Sequence, residues 1–214
     1  YLDRLLDGDR NSAADLAERS VQDGLPLQNL YLDVFQPAMR EIGRLWQLNR
    51  ITVAQEHFCT AATQAIMNGF VRRILQTPRN GLTVTAACLG GEFHEVGLRM
   101  VADLLELDGW NCSYVGGSVP VSDMIESLAD KPPDLVAVSV TMTENVGAVV
   151  TFIDQLRRTP GLQRVPVLVG GRPFAISATL STSVGADGCA LDAATALSEA
   201  RRLAGLPSTD TPNS

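Results

Sequence analysis

Leu82-Thr83-Val84-Thr85-Ala86-Ala87-Cys88-Leu89, followed by Gly90-Gly91-Glu92-Phe93-His94-Glu95-Val96-Gly97, decides the fold. The first eight residues are apolar or small apart from two threonines, the pattern of a strand buried on both faces. Leu98 to Leu107 then carries apolar residues at helical spacing. Strand, glycine-rich turn and helix in succession make a βα unit. His94 therefore lies on the loop leaving the C-terminal edge of a first strand, the edge at which open α/β sheets bind ligands. Gly90 and Gly91 let the backbone turn sharply there. Glu92 is placed to accept the second ring N–H of His94 and fix its tautomer, as around a metal-ligating histidine. The competing reading is an ordinary strand-to-helix loop with a solvated histidine, and a short motif alone does not exclude it.

The same alternation continues to about residue 205. Strands are expected at Leu82 to Leu89, Cys112 to Val115, Leu135 to Val140, Pro166 to Val169 and Gly188 to Leu191. Helices are expected at Val96 to Leu107, Val121 to Ala129, Asn145 to Arg158, Phe174 to Ser181 and Ala193 to Ala204. Five βα units with nearly continuous apolar strands predict an α/β domain over 82–205. Its core is a parallel, doubly wound sheet of the flavodoxin or Rossmann-like kind, covered on both faces. Thr77-Pro78-Arg79-Asn80-Gly81 reads as the linker before it, and 206–214 as a disordered polar tail.

Residues 1–76 read as helical throughout. Leu2 to Leu6 is followed by a break at Asp7-Gly8-Asp9, then by Ala13 to Gln22 with Ser12 as N-cap. Leu27 to Leu48 is a longer helix in which Pro37 predicts a kink. Thr52-Val53-Ala54-Gln55 is a capping box opening a helix that runs to Leu75. Short turns between such helices predict a four-helix-type bundle.

Composition limits the partners. The 214 residues are 45% hydrophobic and 19% charged, as in an ordinary globular protein, and the net charge of -7 argues against a nucleic-acid face. No apolar stretch is long enough to span a bilayer and no signal peptide is visible. Cys59, Cys88, Cys112 and Cys189 have neither zinc-site nor redox spacing, so reduced thiols and a cytoplasmic location are expected. The chain begins at Tyr1, so a longer polypeptide is expected.

Other strand ends add to the His94 loop. Ser139-Val140-Thr141 puts two hydroxyls at the tip of the third strand, and Gly170-Gly171 at the end of the fourth leaves room for a flat group. Together, Glu92-x-His94-x-x-Gly97, Ser139-x-Thr141 and Gly170-Gly171 resemble the cobalamin-binding domains of methionine synthase and corrinoid proteins. The resemblance covers 82–205, and a preceding helical bundle is also that family's arrangement. It implies that His94 ligates cobalt from below in place of the dimethylbenzimidazole base, with Glu92 as its orienter and Gly97 closing the motif. Ser139, Thr141, Gly170 and Gly171 would accommodate the displaced nucleotide tail, and the bundle would cover the upper face. The family's usual Asp is here Glu92, which keeps the carboxylate and lengthens its reach.

A narrower resemblance concerns the bundle. Trp46-x9-Glu56-His57, together with Glu92-x-His94 rather than Asp-x-His, is similar to the light-sensing, adenosylcobalamin-dependent regulators. That likeness implies a photoreceptor module for signal transduction. Trp46, Glu56 and His57 would shelter the adenosyl group, light would remove it, and the bundle would rearrange. A linear tetrapyrrole (bilin) as second chromophore belongs to the same expectation. So does output through an effector domain, a partner protein or self-association. Two features depart from those regulators: Gln47 stands where they carry a histidine, and no DNA-binding module is visible. Two other readings compete. One is a methyl-carrying corrinoid subunit of a methyltransferase; the other is a cofactor-free interaction domain of flavodoxin-like shape. No nucleophile–base pair is evident, so no turnover by this chain alone is expected.

Overall fold

The computed structural model describes residues 1–177 and 179–207, divided into two compact units, Tyr1–Gln76 and Thr77 onward. The first unit is helical. It comprises α1 (Leu2–Leu6), α2 (Arg10–Gln22), α3 (Leu27–Asn29), a π-helical segment (Leu30–Phe35), α4 (Gln36–Gln47) and α5 (Val53–Ile74). The N-cap of α2 is Asp9, whose carboxylate accepts from the Ser12 N–H, so the helix starts earlier than Ser12 predicts. Asp caps a first turn as well as Ser does, and its charge adds a favourable interaction with the positive end of the helix. Thr52 and Gln55 form the reciprocal capping box of α5.

Leu27 to Gln47 is unbroken helix, but it is not uniformly α. Pro37 has no N–H to give, and its ring would crowd the carbonyl one turn earlier. The chain answers with the wider π turn just before it, in which the Gln36 N–H bonds to the Tyr31 carbonyl, five residues back. Tyr31 and Phe35 from that turn are fully buried and stack edge to face at 5.3 Å, and Phe35 also meets Tyr1 at 5.2 Å. The Tyr1 hydroxyl donates to the buried Thr63, which ties the first residue to the middle of α5.

The second unit holds β1 (Thr83–Leu89), α6 (Val96–Leu107), β2 (Asn111–Val119), α7 (Val121–Asp130), β3 (Leu135–Ser139), a 3-10 turn (Thr143–Asn145), α8 (Val146–Arg158), β4 (Val167–Gly170), α9 (Arg172–Ile176), α10 (Leu180–Ser183), β5 (Gly188–Ala190) and α11 (Ala193–Leu203). The five strands are all parallel, in the order β2-β1-β3-β4-β5. Alternate residues of β3 show why both faces need cover. Val136 and Val138 pack with α7 and α8, while Leu135 and Ala137 pack with α6 and α11. Thr77 to Gly81 belongs to this unit rather than hanging between the two. The Asn80 N–H bonds to Gly109 O, and Arg79 donates to the carbonyls of Glu106 and Trp110. The helix expected over 174–181 is split into α9 and α10, with Ser177 in extended conformation between them. Of the expected tail, residues 208–214 lie outside the described residues. Pro207 O accepts from Arg201.

Candidate functional site

In the order β2-β1-β3-β4-β5 all strands run the same way, but the order of addition reverses at β1: β2 is laid on one side of it and β3 on the other, so the loops leaving β1 and β3 part and leave a crevice. The loop after β1 carries Glu92 and His94; the loop after β3 carries Thr141, Met142 and Asn145. Glu92 joins them. Its side chain is fully buried. One carboxylate oxygen accepts from the His94 backbone N–H at 3.0 Å and stands 2.5 Å from His94 Nδ1. The other accepts from the backbone N–H groups of Thr141 at 2.7 Å and Met142 at 2.9 Å, and from Asn145 Nδ2 at 3.1 Å. Burial alone would raise the Glu92 pKa. The amides of Met142, His94 and Thr141, with the imidazole, overcome that and hold it down to about 2. Glu92 is therefore a carboxylate that only accepts, and Nδ1 of His94 must carry the proton. In the neutral ring this puts the lone pair on Nε2, and the side chain is 53% exposed.

Strand β2 backs the same loop. It runs past the expected end at Val115 because its pairing with β1 shifts register twice, at Ala86/Ala87 and Ala87/Leu89. Gly116 takes φ +95°, which an L side chain rarely adopts, and Ser118 takes φ +55°. The Ser118 N–H then donates to Glu92 O at 2.8 Å and the Gly90 N–H to Val119 O at 3.0 Å. Burial pushes the Tyr114 phenol of β2 up, and the neighbouring Glu95 carboxylate adds to that.

The other sequence candidates fall in two places. Ser139 ends β3 opposite Gly170, which ends β4. Gly171 has φ +100°, and a Cβ there would lie 1.8 Å from Val140 O, so the chain's own backbone demands this glycine. Gly97, in the first turn of α6, is different: a Cβ on it would meet nothing within 4 Å. Along the C-terminal edge of the sheet, Phe93 in the loop after β1, Met142 after β3, Ile176 at the end of α9 and Leu191 after β5 are exposed. In the helical unit, Trp46 is exposed with Leu48, Val53 and Phe58. Glu56 accepts from the Thr60 hydroxyl one turn on, and His57 Nδ1 lies 3.0 Å from Val53 O. Sequence reasoning missed Asn145 and the two amides of the β3 loop. Asn145 reads as a helix start, and backbone amides carry no residue signature.

An exposed imidazole at a sheet's switch point, with one nitrogen fixed by a buried carboxylate, is an arrangement that can hold a cofactor. Among the described residues no three His, Cys, Asp or Glu side chains gather to hold a bare ion. A single protein ligand suits a metal whose remaining positions a macrocycle fills. Residues 82–201 match the B12 binding domain family, and residues 1–68 match a second B12 binding domain model. The chain belongs to the B12-binding family. It is 26% identical over 190 residues to trimethylamine corrinoid protein 1 of Methanosarcina acetivorans, covering 86% of each chain. It is 24% identical over 187 residues to the trimethylamine corrinoid protein of Methanosarcina barkeri, covering 86% of this chain and 85% of the other. The structure of the Methanosarcina barkeri monomethylamine corrinoid protein superposes with a TM-score of 0.82 over 94% of this chain and 95% of that one, at 20% identity, which speaks to fold.

These relatives overturn the photoreceptor reading. The proteins matched over 86% of the chain, helical unit included, are corrinoid proteins of methylamine systems. Light sensing and signal transduction rested on Trp46-x9-Glu56-His57, a pattern that marks only a helix end, a tight turn and a helix start. Glu56 and His57 are accounted for by contacts within α5, and Gln47 occupies the place of the histidine those regulators carry. The bilin, expected as an accessory to light sensing, goes with it.

Proposed function

We propose that this chain is the corrinoid-carrying subunit of a methyltransferase system, with a separate methyltransferase as its partner. When bound, the corrinoid supplies a cobalt centre that accepts and gives up a methyl group. His94 holds that cobalt through Nε2. Glu92 keeps the proton on Nδ1, and Asn145 with the Thr141 and Met142 amides holds Glu92. Phe93, Met142, Ile176 and Leu191 exclude water around the macrocycle, while Ser139, Thr141 and Gly170 take its displaced tail. The corrinoid carried would be a methylated one rather than adenosylcobalamin. The four free thiols support a cytoplasmic setting. No helix among the described residues is long and apolar enough to cross a membrane.

The observation that carries this reading is the His94 ring, its Nδ1 held by a buried carboxylate and its Nε2 free. Partners of this kind keep a ligating imidazole in one tautomer and raise its basicity. Further support comes from the methylamine corrinoid proteins above and from the structure of a methanol:cobalamin methyltransferase complex from Methanosarcina barkeri. One chain of that complex superposes at a TM-score of 0.50 over 97% of this chain and 79% of that one, at 19% identity, which speaks to fold.

The test is titration with methylcobalamin and cob(II)alamin, followed by absorption and electron paramagnetic resonance. Wild type is expected to show a nitrogen ligand below cobalt with the nucleotide base displaced. His94→Ala is expected to lose that signal and bind roughly 10- to 100-fold more weakly or worse. Equal binding and an unchanged cobalt(II) spectrum in His94→Ala would sink the reading. Transfer of methyl from the loaded protein to an acceptor by a partner methyltransferase separates a carrier from a mere binder.

Gly97 gives a cleaner discrimination. Because a Cβ there meets no protein atom, Gly97→Ala is expected to leave the corrinoid-free protein as stable or up to about 1 kcal/mol more stable, through helix propensity. The same substitution is expected to weaken corrinoid binding, since the space over α6 is what a macrocycle would occupy. Unchanged affinity by titration would show that the ligand does not approach this turn.

A further inference from the structure

The ligand loop is strapped to β2 on both sides of His94. On one side, the Ser118 N–H holds Glu92 O at 2.8 Å. On the other, the Glu95 carboxylate lies over the paired glycines of β2, its Oε2 only 3.3 Å from where a Cβ would stand on Gly116 and equally on Gly117. A Cβ on Gly117 would also come within 3.1 Å of Glu92 O and 3.6 Å of Phe93 Cα. The glycine pair is thus a notch shaped to the loop, and the Glu95 side chain fills it. Beneath the notch the Tyr114 ring is stacked on the Arg99 guanidinium at 5.5 Å, and Arg99 Nε donates to the buried Asp103 at 2.8 Å. Arg99 lies one helical turn beyond Glu95 and its N–H bonds to Glu95 O. Tyr114 Oη is enclosed beside the Glu95 carboxylate.

We propose that Glu95 is a positioning residue: seated in the Gly116–Gly117 notch beside Tyr114, it fixes the ligand loop from the side opposite Glu92 and so sets the aim of His94. The inference rests on His94 being the cobalt ligand. Glu92 fixes the ring relative to β3. Without a second anchor the segment after Glu92 would pivot about that carboxylate, and Glu95, next in sequence to the ligand, supplies it against β2. A residue of this kind acts through geometry, so the shape and length of the side chain matter as well as its presence.

The experiment uses the whole chain loaded with cob(II)alamin. It compares wild type, Glu95→Ala, Glu95→Gln and Tyr114→Phe by electron paramagnetic resonance, with binding titration and thermal melting alongside. Glu95→Ala is expected to lower the fraction of cobalt carrying the histidine nitrogen signal and to weaken affinity roughly 10-fold or more, with the melting temperature retained. Glu95→Gln, of the same length, is expected to restore most of the ligated fraction, and Tyr114→Phe to fall between. Where Glu95→Ala does not fold, Glu95→Asp carries the test, since it keeps the charge and shortens the reach. A full nitrogen signal at wild-type affinity in the alanine or aspartate variant would overturn the proposal. Absence of the nitrogen signal from wild type would overturn the cobalt-ligand reading first, and this inference with it.

Discussion

Glu92→Ala is expected to cost the corrinoid-free protein about 3 kcal/mol or more, by urea denaturation at pH 7. The carboxylate it removes is fully buried and faces five donors on two loops. Alanine returns nothing to them, and each enclosed orphan donor costs about 1–3 kcal/mol unless solvent enters. Glu92→Gln keeps the shape but turns an amide N–H toward at least one of these donors, so it is expected to recover only part of the loss. The pH dependence follows the same contacts. The folded pKa of about 2 lies below the ordinary value of 4.5. Glu92 therefore contributes stability that is complete above about pH 4.5 and lost as the pH falls toward 2, to a total of about 3 kcal/mol. Wild type is expected to lose stability through that window more steeply than Glu92→Gln. Parallel pH profiles, or a cost below about 1 kcal/mol for Glu92→Ala, would show that solvent satisfies these donors without the carboxylate.

Gly171→Ala is the second large effect, and its cause is different. Here φ is +100° and the added methyl carbon would fall 1.8 Å from Val140 O and 2.7 Å from Val140 C. No rotamer relieves this, because Cβ has none. The β4 end must move away from β3, where the Val140 N–H to Gly170 O bond at 3.1 Å and the Ser139–Gly170 pairing join them. The expected result is a loss of about 4 kcal/mol or more, or failure to accumulate folded protein. Circular dichroism melts of Gly171→Ala beside Gly97→Ala decide it. A Gly171→Ala protein that melts like wild type would mean that the β3–β4 edge yields freely. The pairing of these two glycines also separates fold from site. The first is demanded by the chain itself, whereas nothing in the chain demands the second.

Much of this was legible in the residues. The apolar runs of β1 and β3 and the helical period of α6 are strong local signals, and Leu2–Leu6 and Val96–Leu107 fall where the pattern puts them. Thr52-x-x-Gln55 is a short-range device and forms as read. What failed to show depends on contacts distant in sequence. Asn145 and the amides of Thr141 and Met142 reach Glu92 across about fifty residues, and only the strand order β2-β1-β3 brings them together. The extension of β2 through Val119 rests on register shifts that an alternation pattern cannot reveal. Gly171 read as room for a ligand, and the chain has its own need of it as well, because a Cβ there would meet the Val140 carbonyl. The bundle misled in another way. Trp46, Glu56 and His57 were weighed as a set because of their spacing, but a spacing around a tight turn is common to any two helices so joined.

The π turn at Leu30–Phe35 has a consequence for how the helical unit tolerates change. A π turn is an α-helix carrying one residue too many, so everything after it is rotated about 100° from where an uninterrupted helix would put it. Tyr31 and Phe35 enter the core before the step, and Ala38 and Ile42 after it. Both groups face inward because of that offset. Loss of any one residue between Leu30 and Phe35 would leave a better-formed helix and a worse-formed unit. Ala38, Ile42 and the helix end at Trp46 would swing together by more than a quarter of a turn. Length, rather than residue identity, is the conserved quantity to look for in this segment among relatives.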